Sequence, residues 1–504
     1  MVSIEKSSTL LVLIFIALSC AAWATFDAFF SPHIPFPLFK YVLSEDFPFK
    51  LSIFLASALI ILRLAYQSYR LVPRYDYMLI ALIFVFAQTG GIKFGLLNGL
   101  DITILFGFLL ILSDRLLNPH KTLFSPGLFY FAGVLVLLDI ANFMQHFSVG
   151  HIVGLFGLLR VILLAWILVN VITDEDTGRF AIAVFIIVAV ISALVGISQG
   201  ILYWLVGIDF TFIEQFGASD TQYKPTPLGM LPRASAFNGS AQHLSSFLLI
   251  ALPFTLFSRH AATGRQKVAL TAAVFIILGG VLSTWNYGGF FAVLLVLLLY
   301  PFFQCPRYSL HILFGMTLFV LLCYYTGILD WLYSVSFGDS NVSKGVSQRY
   351  TLLSLGLEKL VKDPWFGEGL HGFASAPGNY WNRPVHNAYI QAATEIGILG
   401  SLVFIVMLLV MLTQALLSAK LLPTPWTGRL RATALSLIGL MWLMLTEPMV
   451  DHSNTWLLFG LTQGLLQTAW RIRGQTGRYS MPKAPPGWVA QRAGADGLCR
   501  PPEN

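Results

Sequence analysis

The chain has 504 residues, of which 56% are hydrophobic and only 11% charged, with a formal net charge of +7. That composition excludes a water-soluble fold, and no stretch between the apolar runs approaches the roughly 70 residues that an independent aqueous core needs. The positive charge therefore reads as membrane topology and not as a signal for nucleic acid. Four cysteines, Cys20, Cys305, Cys323 and Cys499, lack C-x-x-C spacing and imply neither a disulfide framework nor a zinc site.

Counting about 17 or more apolar residues as a span, helices are expected near 9–25, 50–66, 77–91, 98–113, 127–147, 152–173, 180–206, 243–257, 268–284, 287–303, 308–329, 395–418, 431–446 and 454–470. The expectation is an all-α polytopic membrane protein of about 12–14 transmembrane helices, one integral domain over residues 1–470. The first run, Thr9 to Thr25, follows Lys6 and reads as a retained helix, since further aromatics and many more spans come after it. Basic turns at Arg70 and Arg74, Arg259 to Lys267 and Lys420 to Arg431 put both termini in the cytoplasm. The tail 471–504, rich in Pro, Gly and Arg without periodicity, reads as a disordered cytoplasmic extension.

Charges inside an apolar chain are its most informative residues. Asp139 and Arg160 fall at similar depth in adjacent antiparallel helices and are expected to pair, as a structural tie or as a hold on a lipid diphosphate. The outer loop 207–242 carries Lys224 and Arg233 just before an apolar run. In TEPMVDHSNTW, residues 446–456, Glu447, Asp451 and His452 are grouped, and a polar helix connector is a better reading than a metal site.

The longest polar interruption runs from Val346 to Leu402. A helix is expected from Gln348 to Lys362, stopped by Pro364, with an apolar stripe of Leu353, Leu357, Leu360 and Val361. One turn back along that stripe stands Arg349, a cation at a helix start, where cations are disfavoured. It reads as a snorkelling interface residue or as an anion ligand.

Farther on comes H-N-x9-G-x-x-G, formed by His386, Asn387, Gly397 and Gly400. A helix starting near Pro384 would put His386 in its first turn, where backbone N–H groups oppose a positive charge, so the imidazole is suited to accept a proton. At about 1.5 Å per residue, His386 would stand roughly 15 Å above the hydrocarbon, at headgroup depth.

The H-N-x9-G-x-x-G element, the R-x-x-x-L of Arg349 and Leu353, and DPWFGEGLHGF together resemble the O-antigen ligase and Wzy-type polymerase superfamily, most densely over residues 345–402. The loop around Arg233 is similar in form to that family's arginine segment. In STWNYGGFF, residues 283–291, Asn286 and Tyr287 stand where relatives often carry an arginine. A second phosphate ligand would then come from Arg233, Lys224 or Arg383.

The resemblance implies a glycosyltransferase in the inner membrane, working at its outer face among membrane lipids. The donor would be a polyprenyl-diphosphate-linked glycan, and the acceptor lipid A core for a ligase or another lipid-linked glycan for a polymerase. His386 would be the base, and Arg349 and Arg233 would hold the diphosphate, with no metal or other cofactor called for. No P-loop and no G-x-S-x-G is present. A transporter or flippase would instead line a path through the membrane centre with charge, whereas here the unusual charges gather in outer loops.

Overall fold

A computed structural model describes residues 75–88, 93–94, 97–118, 127–145, 149–206, 223–226, 229–237, 240–304, short pieces between 314 and 327, 340–422 and 426–479. The spans expected at 9–25 and 50–66 lie outside these residues, and that at 308–329 is described only in part. The fold is all-α apart from two short antiparallel hairpins. In chain order come α1 (Tyr75–Gln88), β1 (Lys93–Phe94), β2 (Leu97–Asn98), α2 (Gly99–Leu117), α3 (Leu128–Gln145), α4 (Val149–Val171) and α5 (Glu175–Val206). Then follow β3 (Tyr223–Thr226), β4 (Gly229–Pro232), α6 (Ala241–Ala261), α7 (Gly264–Ser283), α8 (Tyr287–Gln304), α9 (Ser340–Lys362), α10 (Ala388–Leu421), α11 (Trp426–Leu443) and α12 (Ser453–Tyr479).

Six of the described helices, α4 to α8 and α10, are long and apolar enough to cross a membrane, and this is a polytopic membrane protein. Two shorter helices, α1 and most of α3, are also apolar. The expected spans near 431–446 and 454–470 form as α11 and α12, but both are largely buried among their neighbours and carry more polar residues. In α12 those polar groups find protein partners: Thr468 Oγ1 donates to the Ile172 carbonyl, and Gln463 Nε2 to Gln414 Oε1. The helix also outruns the expected tail boundary, continuing through Arg471, whose Nη1 donates to the Thr173 carbonyl at 2.9 Å, to Tyr479. Residues 480–504 lie outside the described residues.

The bundle has two chemically different ends. At one, the starts of α5 and α11 meet through Glu175, which pairs with Arg179 and Arg429, while Arg259 at the end of α6 donates to Thr271 of α7. At the other meet the starts of α6 and α10, the end of α7 and the loop between α11 and α12. The Ala388 N–H donates to the Met444 carbonyl there, and Ala234 N–H to that of Ser283.

The break within α10 sets the geometry of this second end. Gly397 has φ 81° and ψ 171°, a backbone state that side chains oppose, and a Cβ there would strike the Trp365 carbonyl. The break leaves a carbonyl and an N–H without helical partners, and the DPWFGEGLHGF segment takes both. Glu368 N–H donates to the Thr394 carbonyl at 2.8 Å, and Ile398 N–H donates to the Pro364 carbonyl at 2.9 Å. The first glycine of the motif thus plays a structural part, since it lets a loop dock into a helix.

Candidate active site at the start of α10

The helix begins later than the sequence suggests. Asn387 is its N-cap, accepting from the N–H groups of Tyr389 and Ile390, and its Nδ2 donates to the Leu445 carbonyl. His386 is therefore one residue outside the cap and not in the first turn, because the Asn387 side chain already satisfies the helix start. Pro384 precedes the helix altogether. The cap fixes where His386 points: its Nδ1 stands 3.7 Å from Glu447 Oε2 in the α11–α12 loop, with the histidine side chain mostly buried and that of Glu447 4% exposed.

Glu447 also faces Arg349, whose Nη2 is 3.7 Å from Oε1 while the arginine side chain remains 46% exposed. Both separations are longer than a hydrogen bond. Among the described residues, His386 Nδ1 and Glu447 Oε1 have no hydrogen-bond partner. A carboxylate removed from solvent and flanked by a guanidinium and an imidazole, with neither contact closed, has capacity left for a ligand.

Arg233 joins this group from the other side. Its Nε donates to the Thr284 carbonyl at 3.2 Å, and Ala234 N–H donates to the Ser283 carbonyl. Its guanidinium thus reaches the STWNYGG turn where the resemblance implies an arginine. That turn packs close to Glu447, since a Cβ on Gly288 would strike the Thr446 side chain. Burial draws the Arg233 guanidinium down from its ordinary pKa; the Glu447 carboxylate opposes this, and the Arg349 charge adds to it. Arg233, Arg349, His386 and Glu447 therefore form one electrostatic group.

Beside it opens a cavity of about 140 Å³ where the start of α6 meets the α11–α12 loop. Its lining includes Ser240, Gln242, His243, His386, Glu447 and His452, and neither arginine. Of the expected base and the two expected diphosphate ligands, only His386 lines this cavity; Glu447 lines it too and faces Arg349. The His243 and His452 rings meet edge to face at 3.9 Å, and His452 Nδ1 accepts from Asn454 N–H. Burial and the neighbouring His243 hold the His452 imidazole well below the usual histidine pKa.

The other residues singled out from sequence lie elsewhere. Lys224 is on β3 opposite Leu231 of β4, in the hairpin that ends just before Arg233. Arg383 is exposed, and its carbonyl accepts from Asn379 Nδ2. Asp139 and Arg160 do not pair. Asp139 Oδ1 meets His151 Nε2 at 2.9 Å and accepts the Leu370 N–H at 3.1 Å, while Arg160 Nη1 bonds Asp101 Oδ1 at 3.2 Å. The reason is angular: His151 and Arg160 are nine residues apart on α4, about 180° around a helix, so one faces α3 and the other α2.

Sequence reasoning missed Glu447, noticed only as part of a polar connector. The three groups of that loop diverge: Glu447 faces Arg349 and His386, Asp451 bonds His371 at 2.8 Å, and His452 meets His243. The signal available was an acidic residue just before a proline at the end of an apolar helix, on the same side of the membrane as the histidine. No family model and no curated protein matches the chain.

Proposed function

We propose that the protein is a membrane glycosyltransferase that moves a glycan from an undecaprenyl-diphosphate carrier to an acceptor hydroxyl at the outer face of the inner membrane, with O-antigen ligation to lipid A core as its activity. The observation that carries this reading is the Glu447 carboxylate held between the His386 imidazole and the Arg349 guanidinium, with Arg233 in the same electrostatic group. The basic turns at the opposite end of the bundle support the orientation, since such turns favour the cytoplasm.

In the proposed step Arg349 and Arg233 take the donor diphosphate by charge-assisted hydrogen bonds. The acceptor hydroxyl oxygen forms a bond to the anomeric carbon, and the bond from that carbon to the diphosphate oxygen breaks. The leaving group keeps the electron pair, and the guanidinium groups offset its charge. The hydroxyl proton passes to His386, and the nearby Glu447 carboxylate stabilises the imidazolium that forms. A single displacement inverts the anomeric configuration. Retention, or activity abolished by chelators, contradicts this step.

A polymerase is the second reading, favoured by the turn at Asn286 and Tyr287 that departs from the resembling family. Purified protein supplied with the lipid-linked glycan and, separately, lipid A core or a second lipid-linked repeat unit decides between them. Glycan on lipid A core establishes the ligase and chain growth the polymerase. Transfer to neither overturns the proposal.

A further inference from the structure

Helix α9 is apolar on two faces. The inner face packs Leu352, with Leu353 and Leu355, against Phe373, Val385 and Ile390. The stripe expected from sequence is therefore covered unevenly: Leu353 packs on that cluster, while Leu357 and Val361, farther along the helix, are exposed. The outer face shows Tyr350, Leu357 and Val361, at i, i+7 and i+11, and Val361 is 81% exposed. Trp365, in the turn that follows, is 59% exposed. Uncovered large apolar side chains gathered on one side of a helix mark a contact surface.

Its position identifies what it contacts. Gly356 faces Val385, just before α10, and Ile390 and Thr394 within it, and farther along the Pro364 carbonyl accepts from Ile398 N–H, so α9 descends beside α10. Along α10, buried residues run from Glu395 to Gly397, and exposed apolar ones, Ile398, Leu399 and Leu402, begin directly after. The end of α9 thus reaches the level at which α10 first presents an apolar surface suited to lipid. Glu358 and Lys362 border the outer face and pair with each other at 2.7 Å, so the charges nearest the exposed apolar residues offset one another.

We infer that the second half of α9 and the Trp365 turn are seated in the lipid bilayer, at the headgroup–acyl boundary of the leaflet that α10 enters at Ile398. Trp365 is the anchor, a large apolar ring with one polar edge. Arg349 stands eight residues before Leu357, about 12 Å along the helix. Seating the helix therefore holds that guanidinium near the level of lipid phosphates. The inference does not rest on the proposed transfer reaction.

Nitroxide depth measurements test it. In a chain with Cys20, Cys305, Cys323 and Cys499 replaced by serine, labels are placed by Leu357→Cys and Val361→Cys, with Ile398→Cys as lipid reference and Gln266→Cys as aqueous reference. Proteins that elute as single species are reconstituted in nanodiscs of phosphatidylethanolamine and phosphatidylglycerol. Collision with oxygen is compared with collision with a water-soluble nickel chelate. The expected oxygen-to-nickel ratio at both α9 positions approaches that of Ile398 and lies several-fold above that of Gln266. A ratio matching Gln266 shows a water-facing helix and overturns the inference. Protection from both reagents shows that another segment of this chain or a second copy covers the face, and overturns it equally. Two positions keep the test decisive if one variant fails to fold.

Discussion

Asp139 and Glu447 are both carboxylates with almost no exposure to solvent, yet their surroundings are built in opposite ways. Asp139 and His151 meet at 2.9 Å with both side chains 0% exposed, and the same oxygen accepts the Leu370 N–H; the other oxygen, Oδ2, has no hydrogen-bond partner among the described residues, so the pair is closed through Oδ1 alone. Glu447 has an arginine and a histidine at 3.7 Å, neither at hydrogen-bond distance, and borders a cavity. A closed pair holds elements together, here α3, α4 and the loop that docks into α10. An open one keeps its charge available to something that arrives.

The largest effect expected from breaking this contrast is on stability, at the closed pair. Asp139→Ala leaves the Leu370 N–H buried without its partner and leaves His151 Nε2 only the backbone carbonyl of residue 139, at 3.1 Å, and costs about 3–5 kcal/mol in unfolding measured in detergent. A cost below about 1 kcal/mol would show that the pair is not structural. Gly397→Ala forces a side chain into a positive-φ site against the Trp365 carbonyl and costs about 1–3 kcal/mol. Its thermal midpoint should fall accordingly, and an unchanged midpoint would mean that α10 has no fixed break.

At the open site the expectation reverses. Glu447→Gln should leave the unfolding midpoint nearly unchanged and lower the transfer rate about tenfold, about 1.4 kcal/mol of transition-state stabilisation. A large drop in stability with full activity would move Glu447 to the scaffolding class.

A pH dependence is expected from the pair between these two extremes. The hydrogen bond to Asp451 pushes the His371 pKa up to about 9 against the opposing effect of burial. Burial works against ionised Asp451, but the His371 hydrogen bond and charge outweigh it and hold the carboxyl below its usual value. A raised histidine pKa contributes stability that is fully present below its unfolded value, about 6.5, and is lost as pH rises through about 9. The depressed Asp451 contributes above its unfolded value and loses that contribution as pH falls through its folded one. The melting midpoint should therefore fall between about pH 6.5 and 9, and His371→Ala should flatten that slope.

Much of the helical framework was legible because long apolar runs need no partner to identify them. The described helices from α1 to α8 fall near their expected places. What sequence gives poorly is the direction a side chain faces. Asp139 and Arg160 were matched by depth along their helices, but their position around α4 decides the pairing, and His151 occupies the face toward Asp139.

His386 and Arg233 were legible as polar residues beside apolar runs, and Arg349 as a cation on the line of an apolar stripe; the expected helix start at Gln348 was wrong, since α9 begins at Ser340 and places Arg349 in its third turn. Glu447 breaks no such pattern. It becomes significant only when the α11–α12 loop folds back onto the start of α10, a contact separated by about sixty residues of chain.

His386→Ala, assayed for glycan transfer to lipid A core and for its unfolding midpoint on the same preparation, tests the central claim most directly. Loss of a general base is expected to lower transfer about 10²–10⁴-fold while the midpoint stays at that of the unaltered protein. Transfer at the unaltered rate by a folded His386→Ala protein would contradict the account.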